Sequence, residues 1–110
     1  KVSIDKLDDV IPKNCKIDLI KIDVEGAELE VLKGAKGIIK SQKPIIIFEH
    51  EIDKSNEYGY GPSDIFDLLV NVYGQQIFKI NDFLYNLEPL TKKEFLNLVG
   101  NHSEFYFVSN

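Results

Sequence analysis

Two short stretches hold the side chains able to do chemistry: Lys21, Asp23 and Glu25 in IKIDVEG, and Glu49 and His50 at the end of IIIFEH. A carboxylate can orient a hydroxyl or take its proton, and an imidazole, with an ordinary pKa of about 6.5, accepts a proton near neutral pH. Asp23 and His50 are therefore the candidate catalytic residues, with Lys21, Glu25 and Glu49 as candidate substrate contacts. Each has a plainer role open to it. Asp23 could be a strand-end carboxylate satisfied by Lys21 or by backbone N–H groups, and Lys21 could lay its stem along apolar surface or hold Asp23 ionised. Glu25 could simply complement a helix start, an effect worth roughly 0.3–1 kcal/mol, and His50 could be a polar loop residue. Side chains alternate along a regular strand, so at most one of Glu49 and His50 faces a shared site. No metal site is assigned. Asp23, Glu49 and His50 together would nevertheless suit a hard divalent cation, which leaves a metal-dependent hydrolase as an alternative.

The elements that must position these residues follow from the apolar pattern. Ile17, Leu19, Ile20, Ile22 and Val24 form a near-continuous run, the mark of a parallel strand from Ile17 to Val24 covered on both faces. Gly26 allows a tight turn, and Ala27 to Lys33 reads as a short helix with Glu28 and Glu30 in the first turn, where the macrodipole favours anions. A second helical stretch, Ala35 to Gln42, ends at Lys43-Pro44, and Ile45 to Phe48 is a second buried strand. Strand, helical crossover and strand make a parallel βαβ unit. Ligands of open α/β sheets bind outside the carboxyl ends of the strands, where this pattern puts Asp23, Glu25, Glu49 and His50.

The remaining segments are read in the same way. Val2 to Ile4 suggests a short strand, and Asp5 or Asp8 a cap for a brief helix over Leu7, Val10 and Ile11. The polar Ile52 to Gly61 leaves the acidic end of the second strand like a lid, with Tyr58 and Tyr60 either stacking on a sugar or anchoring the loop. Ser63 is placed as the cap of a helix that stops at Gly74. Gln76 to Ile80 is read as a third strand, turning through Asn81-Asp82 into a hairpin with Phe83 to Leu87. Thr91 to Glu94 is a capping box opening a helix, and Glu104 to Val108 is a closing strand.

Composition excludes several classes. A net charge of −5 with thirteen lysines and no arginine does not suit a nucleic-acid surface, which needs a basic patch and bidentate contacts. The single cysteine, Cys15, cannot close an internal disulfide, and no apolar run of about 18 residues or basic leader marks a membrane segment or a signal. A cytoplasmic setting without membrane contact is the expectation. The 110 residues suit one small α/β domain or part of one, and a start at Lys1 suggests a piece of something longer.

Three segments together resemble the FkbM-type methyltransferases: Leu7-Asp8-Asp9, IKIDVEGAELEVLKGA from Ile20 to Ala35, and Lys43-Pro44 followed by IIIFEH. The resemblance implies a Rossmann-like class I methyltransferase fold of which residues 1–110 are the carboxyl-terminal part, with a mostly parallel sheet whose last strand is antiparallel. It also implies an S-adenosylmethionine-dependent enzyme that methylates a hydroxyl on a sugar or secondary metabolite, so its partner is a small-molecule or glycan acceptor. In the family, the cofactor's glycine-rich loop follows the first strand and an acidic residue ends the second. Neither lies among these residues, and Gly59-Tyr60-Gly61 is no substitute because it follows a polar loop. Cofactor-binding residues are left unassigned, and the chain alone is expected to be inactive and to self-associate through an uncovered edge of Ile17 to Val24. A non-catalytic α/β fragment acting by association is the remaining alternative.

Overall fold

A computed structural model describes all 110 residues. Its frame is a four-stranded mixed sheet in the order β1-β2-β4-β3, formed by β1 (Leu19–Ile22), β2 (Ile45–Glu49), β3 (Ile77–Lys79) and β4 (Tyr106–Ser109). β1 and β2 pair in parallel, with Ile22 opposite Phe48. β4 inserts beside β2 and runs antiparallel to both β2 and β3, so the last strand is indeed the reversed one. The helices are α1 (Leu7–Val10), α2 (Glu28–Gly34), α3 (Lys36–Gln42), α4 (Ile52–Glu57), α5 (Pro62–Phe66), α6 (Ile80–Leu84) and α7 (Lys92–Gly100). α5 continues into a π-helical turn, Asp67–Val72. α2 and α3 form the crossover that parallel pairing of β1 and β2 requires.

The core lies mainly on one face of the sheet. Ile22 of β1, Ile46 and Phe48 of β2, Phe107 of β4 and Ile77 of β3 meet Leu29 and Leu32 of α2, Ile65 and Phe66 of α5, Leu69 and Phe95. Phe95 packs edge-on against Phe107 at 4.8 Å between centroids, and Phe107 meets Phe48 at 5.7 Å. Full burial of each such ring contributes on the order of 2–3 kcal/mol, and edge-on geometry adds to it. On the other face α6 covers the β3 and β4 side, where Phe83 meets Phe78 at 5.5 Å.

The structure corrects several expectations. Only Leu19–Ile22 of the long apolar run is a strand, and it is an edge strand: Ile22 is buried while Leu19 and Lys21 are exposed. Covering on both faces would need a further layer that this chain does not supply. Val2 and Ile4 are exposed and outside any strand. Ile52–Glu57 is a helix rather than a lid loop, and its apparent polarity is that of a surface helix with Ser55 turned in. Ser63 does not cap α5. Gly61 stands at the cap position, its N–H donating to Asp64 Oδ2 at 2.9 Å, and Pro62 begins the helix. The expected hairpin with Phe83 to Leu87 is helix α6, because Asn81 and Asp82 lie inside a helical turn and Phe83 is drawn onto Phe78.

Asp8 caps at a distance. Its carboxylate accepts from Gly37 N–H at 2.7 Å and Ile38 N–H at 3.0 Å, at the start of α3 rather than of α1. The capping box at Thr91 forms as read, with Thr91 N–H donating to Glu94 Oε2 at 2.8 Å and Glu94 N–H to Thr91 Oγ1 at 3.3 Å. Removing the remote cap with Asp8→Ala is expected to cost about 1 kcal/mol. A chemical-denaturation midpoint that falls at constant slope will register it, and an unchanged midpoint would deny Asp8 this role.

Candidate functional site

Carried forward one residue, the β1–β2 register that sets Ile22 opposite Phe48 brings Asp23 beside Glu49. The turn after β1 then delivers a third carboxylate. One oxygen each from Asp23, Glu25 and Glu49 lie within 4.8 Å of one another. Partial burial, a hydrogen bond with Asp23 and the charge of Asp23 push the Glu49 carboxyl above the usual range. Tyr106 lies opposite Glu49 on β4, and the charge of Glu49, then partial burial and Asp23, hold its phenol above the ordinary value.

Two lysines border the cluster. Lys21 Nζ stands 3.7 Å from Asp23 Oδ2 in an exposed pair. Lys54 of α4 meets Glu25 and lies 3.3 Å from Glu51 Oε1, and these partners, Glu25 first, raise its pKa. Exposed pairs of this kind are worth little, about 0–1 kcal/mol, so they arrange charge rather than hold the fold. Of the sequence candidates, Lys21, Asp23, Glu25 and Glu49 are brought together. The lysine was readable only as a strand neighbour of Asp23, and Lys54 was not singled out at all.

His50 goes elsewhere. Strand alternation turns it to the opposite face from Glu49, where it is fully buried between Tyr60 and Phe95, with centroids at 5.8 and 6.3 Å. The set of Asp23, Glu49 and His50 needed for a metal-dependent hydrolase is therefore not assembled. The three converging carboxylates are oxygen donors of the kind hard cations accept, with Lys54 already on one of them.

Beside His50 lies the residue that sequence reasoning underrated. Glu28 is 2% exposed, although a helix-start acid serves the dipole equally well from the surface, as exposed Glu30 does. Its Oε1 accepts from Gly26 N–H at 2.9 Å and its Oε2 from the Tyr60 hydroxyl at 2.8 Å, while His50 Nδ1 stands 3.9 Å from Oε2. Burial favours the neutral acid, but His50, the Gly26 N–H and the Tyr60 hydroxyl outweigh it and hold the Glu28 pKa at about 2. Burial and the Glu28 charge in turn raise the Tyr60 phenol. The readable signal was a glutamate two residues beyond a glycine turn, close enough to return to its N–H.

A family model for the methyltransferase FkbM domain matches residues 1–96 of this chain. No curated protein matches it, and no solved structure does. No helix is long and apolar enough to cross a membrane.

Glu28 gives a test of the buried arrangement. A carboxyl whose pKa falls on folding from 4.5 to about 2 contributes stability above the higher value and loses it as pH drops through the lower. The chain is expected to lose on the order of 3 kcal/mol across that interval from this group alone. Denaturation of Glu28→Gln at a series of pH values should lack this component. An identical acid profile in wild type and variant would show that Glu28 is not held ionised.

Proposed function

Because the chain belongs to the methyltransferase FkbM domain family, whose model covers residues 1–96, we propose that it is the carboxyl-terminal part of an S-adenosylmethionine-dependent methyltransferase domain. In this reading the reversed last strand beside β2 is that of a Rossmann-like class I sheet, and the acceptor is a hydroxyl of a sugar or secondary metabolite. The family match is the observation that carries the proposal. The mixed sheet, with its carboxylates at the ends of the parallel strands, supports it.

The cofactor's cradle does not fit the residues present. The only turn that contains a glycine and links a parallel strand to a helix is Glu25-Gly26, and Gly26 N–H is already bonded to Glu28. A Cβ at Gly26 would come within 2.7 Å of the Lys54 carbonyl oxygen, so the turn is covered by α4. Gly59 and Gly61 face open space but precede α5 instead of ending a strand. The contribution of these residues is on the acceptor side. An acceptor hydroxyl seated at Asp23 and Glu49 would pass its proton to the carboxylate pair, where the raised affinity of Glu49 for a proton holds it. Lys21 and Lys54 orient the neighbouring carboxylates. His50, sealed in the core, is assigned no contact with the acceptor.

Asp23→Asn in the complete enzyme is expected to lower turnover by about 10²-fold while leaving stability nearly unchanged, since shape is kept. Turnover near wild type together with a lowered melting temperature would reject the role. The 110-residue chain by itself is expected to show no S-adenosylmethionine binding by calorimetric titration, and light scattering is expected to show self-association through the free edge of β1. Stoichiometric binding by a monodisperse monomer would overturn the reading of the chain as the acceptor-side part of the domain.

A further inference from the structure

The Glu25-Gly26 turn is held in a conformation it would not choose alone. Glu25 is left-handed at φ 53°, and Gly26 has φ 106°, where a side chain is strained. A left-handed non-glycine residue costs of order 1 kcal/mol or more and persists only when its surroundings fix it. Two sets of contacts do so. On the outside, the Lys54 carbonyl of α4 lies against Gly26, and the Lys54 ammonium meets Glu25. On the inside, the buried Glu28 carboxylate accepts the Gly26 N–H with one oxygen and the Tyr60 hydroxyl with the other. Tyr60 follows α4, so the same carboxylate draws the outer layer down onto the turn it holds.

We infer that Glu28 is a positioning residue: by fixing the Gly26 N–H from inside the fold, it sets the turn that closes behind Asp23 and carries Glu25 to the Asp23–Glu49 pair. It touches no acceptor and acts only through the backbone. Its own position follows from α2, whose Leu29 and Leu32 anchor in the core and so place the Glu28 Cα. The inference rests on the proposed acceptor-side role of the carboxylates. A mere charge partner for His50 would not need an oxygen on the turn, nor a second one on the segment beyond α4.

The test uses the full 110-residue chain and two readouts from nuclear magnetic resonance, the side-chain carboxyl titration of Glu49 and the hydrogen exchange of the Gly26 amide. In wild type Glu49 should titrate above the ordinary glutamate value. An ordinary value there would remove the Asp23–Glu49 pairing, and with it the acceptor-site reading, whatever Glu28 does. Given the raised value, Glu28→Ala should return Glu49 towards the ordinary range and speed Gly26 exchange by about ten-fold or more. Glu28→Gln loses the same charge but keeps an acceptor for Gly26 N–H, so it should preserve slow exchange and most of the raised titration. The difference between the two variants reports geometry rather than charge. Leu69→Ala, a core truncation away from the turn, should lose stability without moving Glu49. A folded Glu28→Ala chain with wild-type values for both readouts overturns the inference. If that variant does not fold, Tyr60→Phe decides: faster Gly26 exchange with a lowered Glu49 titration supports it, and no change in either refutes it.

Discussion

A carboxylate kept charged inside the fold is the constraint on which this structure turns. Removing an ion from water costs several kcal/mol even after relaxation, and it is tolerated only where donors meet the oxygens. Glu28 meets that condition with a backbone N–H from the turn before its helix and a phenol from beyond α4, while the His50 imidazole stands 3.9 Å away without a hydrogen bond. The two donors come from different segments, so satisfying one buried charge fixes two pieces of chain relative to α2. The neighbouring apolar contacts are stronger in sum, but they are not directional. Phe48, Phe95 and Phe107 would tolerate a small slide that the Gly26 N–H and the Tyr60 hydroxyl would not.

The two faces of β2 divide the labour. Phe48 and His50 turn inward and contribute to the core and to the buried charge, while Glu49 between them turns to the exposed carboxylates. A period of two along five residues is enough to separate a group that stays dry from one that joins the exposed carboxylates. The chain belongs to the methyltransferase FkbM domain family. The parallel edge between β1 and β2 provides its position.

What was legible in the sequence follows from the range of the signals. Ile45 to Phe48 reads as a buried strand from four adjacent β-favouring residues, and the capping box at Thr91 from two residues three apart, because both are local. The cluster of Asp23, Glu25 and Glu49 was anticipated from strand ends alone. The extent of β1 was not, since an apolar run does not reveal whether a neighbour exists to cover it, and Leu19 finds none here. The inward turn of His50 follows from alternation, but the choice between Glu49 and His50 for the site depends on which face α2, Tyr60 and Phe95 occupy. Asp8 and Glu28 each had an adequate local explanation as helix-start acids, which concealed longer-range partners at Gly37, Ile38 and Tyr60.

The seat of β4 has a consequence for how the molecule comes to exist at all. Tyr106–Ser109 lies between β2 and β3, so the centre of the sheet is completed by the strand that follows the other three in the chain. Until it arrives, β2 has β1 on one side and nothing on the other, and Phe48 lacks Phe107. Contacts this distant in sequence carry a large loop-closure cost and slow the search for the native pairing. Before that strand inserts, the βαβ half is formed at most loosely and its apolar strand edges stay open to wrong partners, so the commitment to structure is deferred to one short strand.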